Sequence, residues 1–496
     1  MFPNQKPGSR NTQPILDRRR AGVLLHPTSL PSGEIGPDAY RFVDFFAASG
    51  VSVWQVLPLG PTHEDRSPYQ CMSTHAGSEQ LISLSLLEEW GWLPPASDLP
   101  RTDRVVSLRA ARAAFANAPA DVHGDYQLFQ AAHGHWLNDY ALYKALRAQH
   151  ETAAWWQWPA PLRDRNPKAL AKARKQLADD IEQARFEQFL FFRQWSLLKN
   201  YANARGVLLF GDLPIFVAQD SAEVWAQREY FAIDDHGQVL TVAGVPPDYF
   251  SETGQRWGNP HYRWDRMQAD DFTWWVTRLR TQLELYDLLR IDHFRGFEAY
   301  WEIPADEQTA INGRWVRAPG EALFETLHQH IDPLPLIAED LGVITPEVDA
   351  LRRMYGLPGM KILQFAFDGG PDNPYLPHNH EQNSVVYTGT HDNDTTLGWF
   401  AALSSEQREH VMEYLGDAAQ RPMPWPLICA AMASVARLAI VPMQDVLALS
   451  TDHRMNMPGT TKGNWSWRFE WAQLQEGLSD QLRKMARLYG RDKVNS

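Results

Sequence analysis

Hydrophobic residues in this chain fall in short unbroken runs, separated by longer amphipathic stretches. The runs are GVLLH (Gly22–His26), VSVWQVL (Val51–Leu57), VLLFG (Val207–Gly211), LLRID (Leu288–Asp292), LPLIA (Leu334–Ala338), KILQF (Lys361–Phe365), SVVYT (Ser384–Thr388) and LAIV (Leu438–Val441). A strand that is apolar at nearly every position needs both faces buried, as in a parallel sheet covered by helices. Eight such runs, spaced mostly by helix-length segments, predict an α/β chain folded as a (β/α)8 barrel. Residues 1–20 read as a polar lead-in and 21–496 as the barrel. Two intervals are too long for simple crossovers. Residues about 75–185 carry Ala-, Arg- and Leu-rich text (LRAARAAFANA, KALAKARKQLADDIEQA) and predict an inserted helical subdomain. Residues about 213–275 are rich in Gly, Pro and aromatics and predict long loops on one face of the barrel.

Composition changes this picture little. The chain has 496 residues, 44% of them hydrophobic, enough for a large core; barrels with insertions reach this length as one unit. The net charge of -13 comes with no basic patch, so nucleic acid and membrane are not expected as partners. Cys71 and Cys429 stand far apart, outside any metal-ligand spacing, which points to a reducing compartment without disulfides. The N-terminal text lacks the apolar core of a signal peptide, and a soluble cytoplasmic protein is expected. Twenty tryptophans, some in Gly/Pro-rich text such as GQRWGNPHYRW, are mostly core filler, but a few suit flat ligands whose C–H faces stack on rings.

Candidate chemistry sits at the ends of the runs. In a strand, residues i and i+2 share a face, so Arg290 and Asp292 look the same way. Alone, the pair is as well read as structure as function, because a buried ion pair must be fully satisfied to be tolerated. Other run ends shift the balance: Asp212 follows VLLFG, Glu339 and Asp340 follow LPLIA, and His391, Asp392 and Asp394 follow SVVYT. Four strands each finishing in a carboxylate make an acidic pocket at one rim, which suits glycosidic bond cleavage by a nucleophile and a general acid/base. Two carboxylates ~5 Å apart repel by roughly 3 kcal/mol at an effective dielectric of ~20, about two pKa units, and an adjacent arginine returns a similar amount to the carboxylate it touches. Asp292, beside Arg290, is then the group kept ionised as nucleophile, and Glu339 the one kept protonated as acid/base.

These residues carry a resemblance. LLRIDHFRGF, IAEDLG and GTHDNDT are similar to motifs of the α-amylase superfamily. SPYQC (Ser67–Cys71), GDLPIFV (Gly211–Val217), GVPPDYFSETGQRWGNPHY (Gly244–Tyr262), GLPGMKILQFAFD (Gly356–Asp368) and GNWSWR (Gly463–Arg468) narrow it to the amylomaltase, or 4-α-glucanotransferase, family. Leu213 and Pro214 after Asp212, with no Asn-His pair, fit that subfamily. The resemblance spans Ala21 to Arg468 and implies a retaining transfer of α-1,4-glucan segments between maltooligosaccharides, with glucose also an acceptor, and cyclisation as a variant. It implies Asp292 as nucleophile, Glu339 as acid/base and Asp392 as a third carboxylate. Tyr69 is implied to stack beneath the sugar at the cleavage subsite, with Asp212, Arg290 and His391 contacting substrate nearby. Asp248, Tyr249, Gln255 and Trp257 are implied to lie in a loop arching over the glucan and keeping water out.

No cofactor is implied and no metal site is expected. Asp368, Asp372 and Asn373 miss calcium-loop spacing, and the pairs His133/His135 and His378/His380 lack a third ligand. Two rivals stay in view: a retaining α-glucan hydrolase with the same carboxylates, and a glucan-binding regulatory protein on an inactive barrel.

Overall fold

A computed structural model of the chain describes residues 16–95, 103–247, 251–416 and 420–492. Each of the eight apolar runs overlaps a strand of one parallel sheet. In chain order these are β1 (Arg20–Leu24), β2 (Val53–Gln55), β3 (Leu208–Pro214), β6 (Leu288–Asp292), β9 (Leu336–Ala338), β10 (Gly359–Ile362), β11 (Ser384–Tyr387) and β12 (Leu438–Pro442). Their order is β10-β11-β12-β1-β2-β3-β6-β9. The two ends meet, because the Ala338 amide donates to the Pro358 carbonyl at 2.9 Å and the Met360 amide donates to Asp340 Oδ1 at 2.7 Å. The (β/α)8 barrel expected from the runs is therefore the fold.

Alternation along each strand divides the core in two. Leu24, Val53, Phe210, Leu288, Ile337, Met360, Val385 and Ile440 fill the interior. Val23, Trp54, Leu209, Leu289, Leu336, Val386 and Ala439 face outward into the helical layer. At the base, the fully buried Arg491 donates to the carbonyls of Met432 (2.8 Å), Arg20 (2.9 Å) and Ser434 (2.8 Å), tying the last described helix to β1 and the approach to β12.

Between β2 and β3 lie the helices Arg104–Phe115, Ala120–Gln149, Pro167–Gln176 and Ala178–Ala204. Asp103 caps the first, accepting from the amides of Val105 and Val106; Asn166 caps the third ahead of Pro167. The helical text runs beyond residue 185, because Ala178–Ala204 is one helix that starts in the insertion and ends as the barrel helix leading into β3. The 213–275 interval also holds more than loops. β4 (Thr241–Val245) and β5 (Gln255–Pro260) join β7 (Ala299–Pro304) and β8 (Arg314–Arg317) in an antiparallel sheet ordered β5-β4-β7-β8. The part-exposed pattern of β5 and β8 explains why no apolar run announced them. No described helix is long and apolar enough to cross a membrane.

Candidate active site

The carboxyl ends of the barrel strands open into a cavity of about 820 Å³. Asp292, Glu339 and Asp392 all line it, with Tyr69, Gln255, Trp257 and Arg290. β3 sets Asp212 directly opposite Arg290 on β6, and Arg290 divides its guanidinium between two carboxylates. One end-nitrogen donates to Asp212 Oδ2, and the other to Asp292 Oδ1 at 2.5 Å. Asp212 is 1% exposed and closed off from the cavity, so it acts from beneath: it also accepts from the Tyr69 hydroxyl at 2.6 Å. The sequence placed Asp212 among the substrate contacts; here it holds Tyr69 and Arg290 in position.

Glu339 is gripped at both oxygens by backbone. The His293 amide donates to Oε2 at 2.7 Å and the Leu341 amide to Oε1 at 3.0 Å. His293 accepts a left-handed conformation, φ 56°, uncommon for a non-glycine residue and typical of functional turns. Adjacent strand residues point apart, so Asp340 leaves the cavity and makes the β9–β10 clasp. Asp394 likewise turns away, accepting from the Thr451 hydroxyl at 3.0 Å. That contact anchors the segment from which Asn456 donates to Asp392 Oδ1 at 2.6 Å and Arg454 donates to the Asp392 carbonyl at 2.9 Å. His391 stacks on Tyr69 (centroids 5.2 Å apart, planes at 18°), with Nε2 3.3 Å from Asp392 Oδ1. Trp465 packs against both rings. Gln255 accepts from the Trp257 indole at 3.0 Å, and Trp257 meets His293 edge-on. Asp248 and Tyr249 lie outside the described residues.

The three carboxyls differ in ionisation. Burial pushes Glu339 up to about 8, with the charge on Asp292 adding to the shift and Arg290 and the two amides opposing it. Burial also raises Asp292, to about 6; Arg290 pulls it down, and the second carboxylate at Asp212 pushes it back up. Arg290 alone does not hold Asp292 at the usual carboxylate value, because it serves two carboxylates at once. Burial would raise Asp392 too, but His391 and the Asn456 amide outweigh it and hold it at about 2. At neutral pH, Asp292 and Asp392 are ionised and Glu339 carries its proton.

The sequence profile of the 4-alpha-glucanotransferase family matches residues 24–474. The chain belongs to the 4-alpha-glucanotransferase family. It is 49% identical to a 4-alpha-glucanotransferase of Thermus thermophilus over 94% of this chain and 98% of the relative. It is 43% identical to the chloroplastic/amyloplastic 4-alpha-glucanotransferase of Solanum tuberosum over 96% of this chain and 87% of the relative. Its fold superposes on the amylomaltase of Streptococcus agalactiae, solved in complex with acarbose, with a TM-score of 0.92 at 37% identity, covering 96% of this chain and 100% of that one.

For this member of the family, sequence reasoning named cavity residues from the barrel strands and from loops, Tyr69 and Asp392 among them, but not four that other segments deliver. Arg454, Asn456 and Trp465 line the cavity from beyond β12, and Trp315 enters from the antiparallel sheet. Trp465 carries φ 60°, a local oddity that no composition signal announces.

Proposed function

We propose that the chain moves an α-1,4-glucan segment from a donor maltooligosaccharide to the 4-hydroxyl of an acceptor glucan or glucose, by a retaining double displacement. The observation that carries this reading is that Asp292 and Glu339 line one cavity with ionisation pushed apart, one charged and one protonated at neutral pH. An Asp292 carboxylate oxygen attacks C1 of the donor sugar. The C1–O4 bond breaks, and Glu339 gives its proton to the departing O4. The acceptor 4-hydroxyl then attacks C1, returns its proton to Glu339 and releases Asp292. Cyclisation is the same second step with the acceptor hydroxyl on the bound segment itself. Asp392, held by His391 and Asn456, binds hydroxyls of the sugar over Asp292 in this reading, and Tyr69 offers that sugar a ring braced by His391. Trp257 and Gln255 cover the cavity wall and restrict water, which favours transfer over hydrolysis.

Incubation with maltotriose should give a ladder of shorter and longer chains, with labelled glucose appearing in the products. Glucose and maltose alone would make the protein a hydrolase, and no turnover would leave only the binding-protein reading. In Glu339→Gln, transfer from maltotriose should fall by about 10²–10⁴-fold. An α-maltosyl fluoride donor, whose leaving group needs no acid, should then leave a glycosyl group on Asp292 detectable by mass. Its absence from Asp292 would refute the nucleophile assignment.

A further inference from the structure

Trp315 is a large ring left 40% exposed on the wall of the catalytic cavity. It lies on β8, at the edge of the antiparallel sheet, directly across from Trp301, whose ring meets it edge-on at 5.1 Å. The guanidinium of Arg295 covers its ring at 3.8 Å. Arg295 is itself 7% exposed and donates to the Val343 carbonyl. Arg295 belongs to the turn that follows Asp292, and Val343 to the loop that follows Glu339. The indole is therefore braced on one face by a buried cation and fastened to both loops that bear the reacting carboxyls. Arg295 covers one face of the ring, and the ring remains part of the cavity wall. A ring held this way gives up little freedom on binding, which is what makes an aromatic an effective anchor.

Strand order fixes which part of the substrate this ring can meet. Tyr69, His391 and Trp465 follow β2, β11 and β12, while Trp315 is inserted between β6 and β9, across the barrel mouth from them. The sugar that becomes bonded to Asp292 rests on the Tyr69 side, with Asp392. Glu339 protonates the oxygen that leaves, so the departing chain, and later the acceptor, lie beyond Glu339 towards Leu341, Val343 and Trp315. We propose that the uncovered face of Trp315 is an acceptor-side platform on which an inner glucose unit of an incoming α-1,4-glucan stacks, so that the enzyme prefers acceptors longer than glucose. This rests on the transferase reading above.

The test measures acceptor KM with α-maltosyl fluoride as donor and glucose, maltose or maltotetraose as acceptor, following both fluoride release and transfer products. In the unaltered protein, KM should fall as the acceptor lengthens. Trp315→Ala should raise the maltotetraose KM by roughly 5–10-fold and leave the glucose KM within about 2-fold, while Trp315→Phe recovers most of the loss. Trp315→Thr, a better strand residue, carries the same expectation where the alanine variant does not fold. An unchanged maltotetraose KM, or equal rises for glucose and maltotetraose, overturns the platform. Fluoride release without any transfer product in the unaltered protein would instead refute the transferase reading.

Discussion

At the scale of residues, the working pH range follows from two carboxyls. Activity should rise as Asp292 loses its proton near 6 and fall as Glu339 loses its own near 8, giving a bell-shaped kcat/KM profile. Because the two groups feel each other, the limbs belong to the pair. With a fluoride donor, the burst of fluoride release in Glu339→Gln should keep the acidic limb and show no alkaline one; an alkaline limb in that burst would mean that another group titrates. The same substitution also acts on stability. Glu339 prefers its neutral form when folded, so at pH 7 folding holds a proton that the unfolded chain releases. Glu339→Gln should therefore be more stable than the unaltered protein at pH 7, by ~1–3 kcal/mol, with the gain fading towards pH 4.5, as read from thermal midpoints. Much of this was legible beforehand, because strand ends rich in carboxylates are rare without a purpose. What the text could not say was which member of each doublet looks inward. Glu339 and Asp340 carry the same signal, as do Asp392 and Asp394; alternation parts the first two, and the loop contacts to Asn456 and Thr451 part the second.

At the scale of elements, the seam between β9 and β10 carries a side-chain clasp. Asp340 accepts from the Met360 amide and sits 3.3 Å from Arg352 Nε. A Cβ placed on Gly359 would stand 2.3 Å from the Asp340 carboxylate, so the glycine leaves room for the clasp. Gly359→Ala and Asp340→Ala should each destabilise by ~1–3 kcal/mol, and the double variant by clearly less than their sum, since both remove the same contact. Additive losses in thermal denaturation would show that the clasp is not what the glycine protects. The barrel strands were readable as elements because burial on both faces leaves a continuous apolar trace. The antiparallel sheet was not, because β5 and β8 are half open to solvent and their text mixes Arg, Gln and Gly with Trp and Val. Trp315 was lost with it.

At the scale of the whole molecule, buried imidazoles set the response to acid. His26, His75 and His293 are held neutral by burial, each down to about 3. Their unfolded values lie near 6.5, so the unfolded chain binds protons that the fold refuses, and stability falls as pH drops from about 6.5 towards 3. The upper bound for three such groups is ~4 kcal/mol per pH unit. Asp292 and Glu339 work the other way until the unfolded carboxyls also protonate, near pH 4. The thermal midpoint should therefore decline as pH falls below 6.5, most steeply below about 4.5; a flat profile down to pH 4 would contradict the burial of these rings. The pairing of β1 with β12 reaches further still. During synthesis the first strand leaves the ribosome with nothing to lie against on one flank until residues 438–442 follow, and the Arg491 fastening comes later again. A nascent chain must carry that open flank through most of its translation, which makes this fold a natural customer for chaperones.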